Sequence, residues 1–305
     1  MTTFVTRRKF LKSTSALAAV AFASPAWAYK KYEPLLSFST LGCPEWSFET
    51  ILNFAAQHGY QGIELRGIQK EMDLTKVFTK SNIEATKKAV ADKGLHIVDL
   101  GSSAALHVKE GDERQKNLDE AKRFIDLAEE LNCPYIRVFP NEFPAGQERS
   151  ATIDLIVKGL KELGDYAKNT SVTVLMETHG DVVESATIQN IMQQVDHPKT
   201  GLVWDAVNMW FKTKEPPAHA YEAIKKYIRH VHLKDLDIVD NKEHYVLFGQ
   251  GQSPVLEAVK VLAKNNYKGY YSFEWEKLWH PEIAEPEVAL ADYPTAIKNY
   301  FQKIT

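Results

Sequence analysis

Residues 172–177 read Val-Thr-Val-Leu-Met-Glu, an apolar run typical of a buried strand that ends in a carboxylate. The same arrangement, a short apolar run followed by a possible metal ligand, occurs three more times: residues 201–204 precede Asp205, residues 228–231 precede His232, and residues 270–273 precede Glu274. Starting at Glu177, the four side chains are separated by 28, 27 and 42 residues. A strand, a helix and two loops take roughly 25 to 40 residues, so each interval predicts one βα unit.

The rest of the chain extends this alternation to eight strands and eight helices. Strands are predicted at 35–40, 62–66, 95–100, 135–139, 172–176, 201–204, 228–231 and 270–273, and helices at 48–58, 82–94, 112–131, 150–168, 185–195, 219–227, 254–265 and 286–303. Residues 67–80, residues 206–218 and the Asp-rich stretch after His232 are predicted to be loops. The pattern predicts an α/β fold, the (β/α)8 TIM barrel, which typically takes about 250 residues.

An open doubly wound sheet is the alternative fold. It usually has about five or six strands, and no Gly-rich phosphate-binding motif follows the first strand here. In a barrel, residues at the carboxyl ends of successive strands converge on one face. Glu177, Asp205, His232 and Glu274 should therefore meet around one point.

The first 28 residues differ from the rest of the chain. They contain a basic segment with the pair Arg7-Arg8 before Phe-Leu-Lys, an apolar run at 15–23, and Ala26-Trp27-Ala28, which suits a signal peptidase. This resembles a twin-arginine (Tat) signal peptide. The apolar run is shorter than the roughly 20 residues that span a bilayer, which disfavours a retained anchor. We expect residues 1–28 to be cleaved, residues 29–305 to form a single catalytic domain, and the protein to be exported to the periplasm.

The composition, 44% hydrophobic and 25% charged, is that of an ordinary globular protein. Without the four basic residues of the leader, 33 basic residues would face 40 acidic ones. This acidic balance argues against a nucleic-acid partner, because phosphate backbones would be repelled. No segment after the leader is apolar enough to span a membrane, and a homo-oligomer remains open. Cys43 and Cys133 match no zinc or redox spacing, and we expect two separate, partly buried thiols.

Two glutamates, one aspartate and one histidine form an oxygen-rich ligand set with a single nitrogen. Such a set suits Mn²⁺, which we rank first, followed by Co²⁺, Mg²⁺ and Zn²⁺. Four protein ligands would leave positions for adjacent hydroxyl and carbonyl oxygens of a substrate, whose enediolate the cation would stabilise. A carboxylate that binds metal through one oxygen can move a proton with the other.

Four segments carry a family resemblance, and they read Met176-Glu177-Thr178-His179, residues 204–208 (WDAVN), residues 230–235 (HVHLKD) and residues 273–276 (FEWE). They resemble the sugar phosphate isomerase/epimerase family, the xylose isomerase-like TIM barrels, which include ketose 3-epimerases, hydroxypyruvate isomerase and inosose dehydratase. The resemblance extends over nearly the whole chain after the leader. It implies that Glu177, Asp205, His232 and Glu274 bind the metal, and that Glu177 and Glu274 form the acid–base pair.

The chain departs from the epimerases of this family at substrate-binding positions. Asn208 stands where they often carry His, and Ile238 stands where they often carry Arg. Residues 249–251 read Gly-Gln-Gly rather than the frequent Gly-Glu-Gly. These differences argue against a simple ketose 3-epimerase, with Asn208 kept as a substrate-binding candidate.

Further candidates for substrate binding lie near the predicted strand ends. Glu64 and Arg66 could orient the substrate or form a buried ion pair with each other. Lys234 and His179 could assist a leaving group or support the ligands from behind. Because sugar phosphates are cytoplasmic, an exported enzyme would act on a free sugar, a glycoside or an oxidised sugar.

Three functions fit the predicted site. The first is a sugar isomerase or epimerase that abstracts a proton next to a carbonyl. The second is a 3-keto-glycoside lyase or hydratase, in which the same proton abstraction expels the aglycone. The third is a non-catalytic periplasmic sugar-binding protein, although binding alone does not require two opposed glutamates.

Overall fold

The computed structural model describes residues 33–304, so the predicted leader at 1–28 lies outside the described residues. Eight parallel strands close into a barrel in which each strand pairs with its neighbours in the chain and the last pairs with the first. These strands are β1 Leu35–Ser39, β2 Gly62–Leu65, β3 His96–Ala105, β4 Tyr135–Phe139, β5 Thr173–Glu177, β6 Thr200–Asp205, β7 Ile228–Leu233 and β10 Tyr270–Phe273. The predicted α/β barrel is confirmed.

Within residues 33–304, ten α-helices connect and cover the strands. They are α1 Phe48–Gln57, α2 Leu74–Val77, α3 Ile83–Asp92, α4 Asp112–Glu130, α5 Arg149–Ala167, α6 Ser185–Val195, α7 Ala206–Thr213, α8 Pro217–Ile224, α9 Val255–Lys264 and α10 Pro286–Ile304. The start of α1 shows how local sequence sets these bounds, because Ser47 Oγ accepts a hydrogen bond from Thr50 N at 3.2 Å, as a helix N-cap does. Among the described residues, no helix is long and apolar enough to cross a membrane.

Helices α2 and α7 lie in segments predicted to be loops, so those two predictions are wrong. Helix α7 begins directly after β6, because Asp205 Oδ1 accepts hydrogen bonds from Val207 N at 2.9 Å and Asn208 N at 2.8 Å. Lys214 ends the helix in a left-handed conformation with φ at 60°. Pro217 then occupies the first turn of α8, a position where its missing N–H costs nothing.

The Asp-rich stretch after β7 is an antiparallel hairpin rather than the predicted loop. Its strands are β8 Asp235–Val239 and β9 Lys242–Val246. The two-residue connection, Asp240-Asn241, has positive φ at both residues, which is the geometry of the tight turn that joins hairpin strands. Asp and Asn tolerate this conformation better than most residues, so the turn was readable in the sequence.

The first residue of the hairpin also anchors the turn at 249–253. Asp235 Oδ2 accepts hydrogen bonds from Gly249 N and Gly251 N, both at 2.9 Å, and Asp235 Oδ1 accepts from Leu236 N and from Ser253 Oγ at 2.6 Å. A Cβ on Gly251 would lie 2.4 Å from Asp235 Oδ1, so this close approach requires glycine. The predicted thiols are free, and both are buried more completely than expected, Cys43 with 1% exposure and Cys133 with 0%.

Candidate metal centre

The four predicted ligands come together at the carboxyl ends of the barrel strands. Each offers a ligand atom, and these atoms all lie within 4.8 Å of one another. Bonds of about 2.0–2.2 Å to a divalent cation place opposite ligands about 4 Å apart, so this grouping fits one ion. The four side chains are almost fully buried: Glu177, Asp205, His232 and Glu274.

His232 lies at the centre of the cluster. Its Nδ1 is 3.3 Å from Glu177 Oε1 and 3.1 Å from Glu274 Oε1. Its Nε2 is 3.0 Å from Glu64 Oε2 on the other side of the ring. Burial alone would lower the pKa of His232, but the three carboxylates raise it well above its ordinary value. These carboxylates therefore favour the protonated imidazole, so a cation bound at Nδ1 would have to displace a proton.

Asp205 is held by the start of helix α7. Its Oδ1 caps the helix, while its Oδ2 lies 2.9 Å from Lys234 Nζ. The cap leaves one carboxylate oxygen for the site, and the backbone amides of α7 fix the orientation of the group. A capping aspartate at a strand end is thus both a structural residue and a ligand candidate.

Lys234 lies among three carboxylates. Its Nζ is 2.9 Å from Asp205 Oδ2, 2.8 Å from Glu274 Oε2 and 2.8 Å from Glu276 Oε1. Burial would lower the pKa of Lys234, but these carboxylates raise it well above its ordinary value. Lys234 therefore keeps its proton and acts as a fixed positive charge. Glu276 was not predicted as a site residue, although it stands only two residues after Glu274, just beyond the end of β10.

Glu64 lies in the barrel interior on the far side of the His232 ring from the other carboxylates. It has no exposure, and its Oε2 contacts His230 Nε2 at 2.9 Å, His232 Nε2 at 3.0 Å and Ser272 Oγ at 3.1 Å. The buried ion pair with Arg66 is also absent among the described residues. Carboxylates that accept the second N–H of a ligating histidine fix its orientation and tautomer. Glu64 is thus placed to support His232 from behind, and a role in orienting the substrate stays a prediction.

Arg66 and Arg137 are two buried guanidinium groups beside the cluster. Arg137 Nε lies 3.2 Å from Glu177 Oε2, and its Nη1 donates to Ser102 O at 3.0 Å. Arg66 Nη2 donates to Ser103 Oγ at 3.1 Å. Arg137 was not predicted as a site residue, although a charged residue in the apolar strand Tyr-Ile-Arg-Val-Phe was a visible signal.

The two remaining candidates lie at the partly exposed side of the site. His179 Nδ1 is 3.0 Å from Asn141 Oδ1, and its ring lies 4.6 Å from the Phe139 ring. Burial lowers the pKa of His179, so the ring is neutral near pH 7. Asn208 Nδ2 donates to Thr178 O at 3.4 Å, and the residue is half-buried. Both remain near the cluster, and their roles stay predictions.

The donor set fits a divalent cation on three grounds. Three carboxylates and one imidazole provide hard oxygen ligands with one nitrogen. Glu177 Oε2 and Asp205 Oδ2 are buried without a hydrogen-bond partner among the described residues, and each has only an ion-pair contact with Arg137 or Lys234. Buried, closely spaced carboxylates are costly unless a cation offsets their charge. These residues could therefore hold the predicted metal.

Comparison with known proteins identifies relatives of this barrel. A family model described as the xylose isomerase-like TIM barrel matches residues 52–293. Among curated proteins, an inosose dehydratase of Clostridium botulinum is 24% identical over 275 residues, which cover 79% of this chain and 85% of the relative. A fructoselysine 3-epimerase of Shigella flexneri is 25% identical over 171 residues, 54% of this chain and 61% of the relative.

One solved structure has the same fold and contains a metal. It is a xylose isomerase-like TIM barrel protein from Mycobacterium smegmatis in complex with magnesium. The superposition has a TM-score of 0.65 at 16% sequence identity and covers 89% of this chain and 97% of the other.

Proposed function

This chain belongs to the xylose isomerase-like TIM barrel family, and from that premise we propose that it is a divalent-metal-dependent sugar isomerase or epimerase. The named relatives are epimerases and dehydratases, so an enzyme is favoured over a sugar-binding protein. The observation that carries the proposal is the convergence of Glu177, Asp205, His232 and Glu274 within 4.8 Å. Glu177 and Glu274 could each bind the metal through one carboxylate oxygen and transfer a proton with the other.

Those four residues would hold the cation, and we propose Mn²⁺ first, with Co²⁺, Mg²⁺ and Zn²⁺ as alternatives. When bound, the cation supplies a Lewis acid that polarises a substrate carbonyl and stabilises the charge of an enediolate. Glu64 would orient His232 for this task, because its carboxylate holds Nε2 and leaves Nδ1 on the cluster side.

Glu177 and Glu274 are the proposed acid–base pair. Each directs Oε1 toward His232 Nδ1, while Oε2 lies next to a cation, Arg137 in the first case and Lys234 in the second. Burial and the charge of Glu274 raise the pKa of Glu177, but His232 and Arg137 lower it by a larger amount. The pKa of Glu177 therefore lies below its ordinary value. Burial likewise raises the pKa of Glu274, but His232 and Lys234 lower it well below its ordinary value.

Both carboxylates are therefore ionised near neutral pH and ready to accept a proton. One would remove the proton next to the substrate carbonyl, and the other would return it on the opposite side or to the neighbouring carbon. Lys234 remains charged and would stabilise the negative charge that develops, since its proton is held too firmly to be transferred.

The substrate and the location are part of the proposal. The leader sequence supports export to the periplasm, where free sugars, glycosides and oxidised sugars are available. His179 and Asn208 lie at the partly exposed side of the site and are proposed to contact the substrate. A small-molecule partner also agrees with the acidic balance of the chain, which does not favour nucleic acid.

Elimination is the second candidate reaction, and the inosose dehydratase relative favours it. The same proton abstraction next to a keto group would expel a hydroxyl or an aglycone from the adjacent carbon. An isomerase returns the proton and leaves the number of atoms unchanged, whereas a lyase forms an unsaturated ketone that absorbs in the ultraviolet. Product analysis therefore separates the two reactions.

The experiment uses the Mn²⁺-loaded protein with a panel of free sugars and 3-keto-glycosides in deuterated water. We expect deuterium to enter a carbon next to the carbonyl, and we expect this exchange to disappear with chelator and return with Mn²⁺. A protein shown to be metal-free that exchanges at the full rate would refute the metal mechanism. Ligand binding without any exchange across the panel would refute the enzymatic proposal.

A further inference from the structure

The side chains of Arg66 and Arg137 lie close to each other next to the metal centre. A Cβ built on Gly101 would lie 2.6 Å from Arg66 Cδ and 2.9 Å from Arg137 Nη2, so the two side chains pass over this glycine from opposite sides. Gly101 pairs with Arg137 in the register of β3 and β4. Any larger residue at 101 would separate the two arginines or displace them.

Both arginines are buried, Arg66 with 6% exposure and Arg137 with 1%. Arg137 is neutralised by Glu177 Oε2 at 3.2 Å. Arg66 has no carboxylate within 4.0 Å among the described residues, and its Nη1 is buried without a hydrogen-bond partner. Glu120 is near enough to influence Arg66, but Glu120 Oε1 accepts from Ser103 N at 2.6 Å.

Arg66 Nη2 has an acceptor in Ser103 Oγ, but its buried Nη1 has none among the described residues, and a buried charged donor without an acceptor is costly. Burial and the charge of Arg137 lower the pKa of Arg66 to about 9, and the more distant carboxylates of Glu120, Glu177 and Glu274 offset this only in part. The backbone of Arg66 is nevertheless fixed, because Arg66 N donates to Thr40 Oγ1 at 2.8 Å. A guanidinium that has an unpaired buried N–H and no carboxylate within ion-pair distance, next to the metal centre, is a binding group for an anion.

We propose that Arg66 and Arg137 form a subsite for the carboxylate of an acidic substrate, such as a sugar acid or a keto acid. This inference rests on the proposed function, because it assigns the substrate class of the same site. A carboxylate carries one negative charge and two coplanar oxygens, which match the planar fork of one uncompensated guanidinium. A phosphate dianion would need a second uncompensated charge, and the charge of Arg137 is already shared with Glu177.

The subsite would place the carboxylate on the β2–β4 side of the barrel, while the metal ligands Asp205, His232 and Glu274 lie on the β6, β7 and β10 side. Glu177 lies between the two, in contact with both Arg137 and His232. A hydroxy or keto acid bound in this way would extend from the arginines across Glu177 toward the cation. The carbon next to its carbonyl would then face the proposed base.

The test compares the binding of matched acids and neutral sugars, such as D-glucuronate with D-glucose and D-galacturonate with D-galactose, by calorimetry on the Mn²⁺-loaded full chain. We expect the acids to bind about 10- to 100-fold more tightly, the range for one hydrogen bond to a charged group. Arg66→Met should remove this preference, and Arg66→Lys should retain part of it. Arg149→Met, the same change at an exposed arginine, should leave it intact.

Two outcomes would overturn the subsite: a panel in which no acid binds more tightly than its neutral counterpart, or an Arg66→Met chain that keeps the preference. Direct Mn²⁺ titration of each variant is measured separately, since none of the substituted residues is a proposed ligand. A chain that binds no divalent metal would refute the proposed function instead. Repeating the acid titrations with chelator present shows whether the preference belongs to Arg66 or to contact of the acid with the metal.

Discussion

Replacing Glu64 with glutamine should weaken Mn²⁺ binding by about 10- to 100-fold while the barrel stays folded. Glu64 Oε2 lies 3.0 Å from His232 Nε2 at a position with no solvent exposure. The negative charge makes the imidazole a better ligand and holds its Nδ1 toward the cluster. Glutamine has nearly the same shape, so it removes the charge without opening a cavity.

The magnitude follows from the contacts. A hydrogen bond to a charged group is worth about 1.5–3 kcal/mol, while a neutral one is worth about 0.5–1.5 kcal/mol. The bond to His232 would change from the first kind to the second, a loss of roughly 1–2 kcal/mol. At 1.4 kcal/mol per tenfold this is about 5- to 30-fold in affinity, which overlaps the lower part of the expected range. The contacts of Glu64 with His230 Nε2 and Ser272 Oγ would remain as neutral hydrogen bonds.

Titration calorimetry of Mn²⁺ into the chelator-treated protein measures the affinity directly. Glu84→Gln is the matched control, since the Glu84 side chain is 84% exposed and lies on helix α3. Urea unfolding of both metal-free variants shows whether a weaker affinity reflects a damaged fold. A Glu64→Gln protein that binds Mn²⁺ as tightly as the unchanged chain would refute the supporting role of Glu64.

Three further predictions concern the same end of the barrel. Glu274→Gln should lower turnover by about 100- to 10,000-fold, because the proposed base loses its charge. The circular dichroism spectrum should stay unchanged, and full activity in this variant would show that Glu274 takes no part in the reaction. Mn²⁺ affinity should increase about tenfold for each unit of rising pH as long as the pH stays below the raised pKa of His232, because Mn²⁺ binding must release the His232 proton. Calorimetry at several pH values measures this slope, and an affinity that does not change with pH would contradict the prediction. Asp235→Ala should lower the free energy of unfolding by about 2–4 kcal/mol, because four donors, two of them in buried hydrogen bonds, lose their acceptor. Urea unfolding measures this, and a loss under about 0.5 kcal/mol would show that the turn is stable without Asp235.

The ligand positions could be predicted because each follows directly from local sequence. A short apolar run specifies a buried parallel strand, and the residue that ends it must lie at the carboxyl face of the barrel. Glu177, Asp205, His232 and Glu274 each end such a run, so the barrel itself brings them together. No knowledge of side-chain contacts was needed for that step.

The roles of Glu64 and Arg137 could not be predicted in the same way. Glu64 is 168 residues from His232 in the sequence, and their contact depends on side-chain directions across the barrel interior. A shift of one residue in the pairing register of a strand moves every side chain to the opposite face of the sheet, and the sequence alone does not fix that register. Sequence patterns placed Glu64 on the correct strand, but only the closed barrel shows that it points at the back of His232.

The segment His230–Asp235 shows how one extended stretch serves the fold and the site together. Side chains alternate along a strand, and His230 and His232 both contact Glu64, so they face the barrel interior. Lys234 continues on that face and reaches Asp205 and Glu274, whereas Asp235 turns away and fixes the 249–253 turn. Lys234 therefore lies between two anchored segments. On one side Glu64 contacts His232, and on the other Asp235 accepts four hydrogen bonds, three of them from the 249–253 turn. A charged side chain anchored on both sides can maintain its contacts while substrate and product exchange, which suits its proposed role as a fixed positive charge.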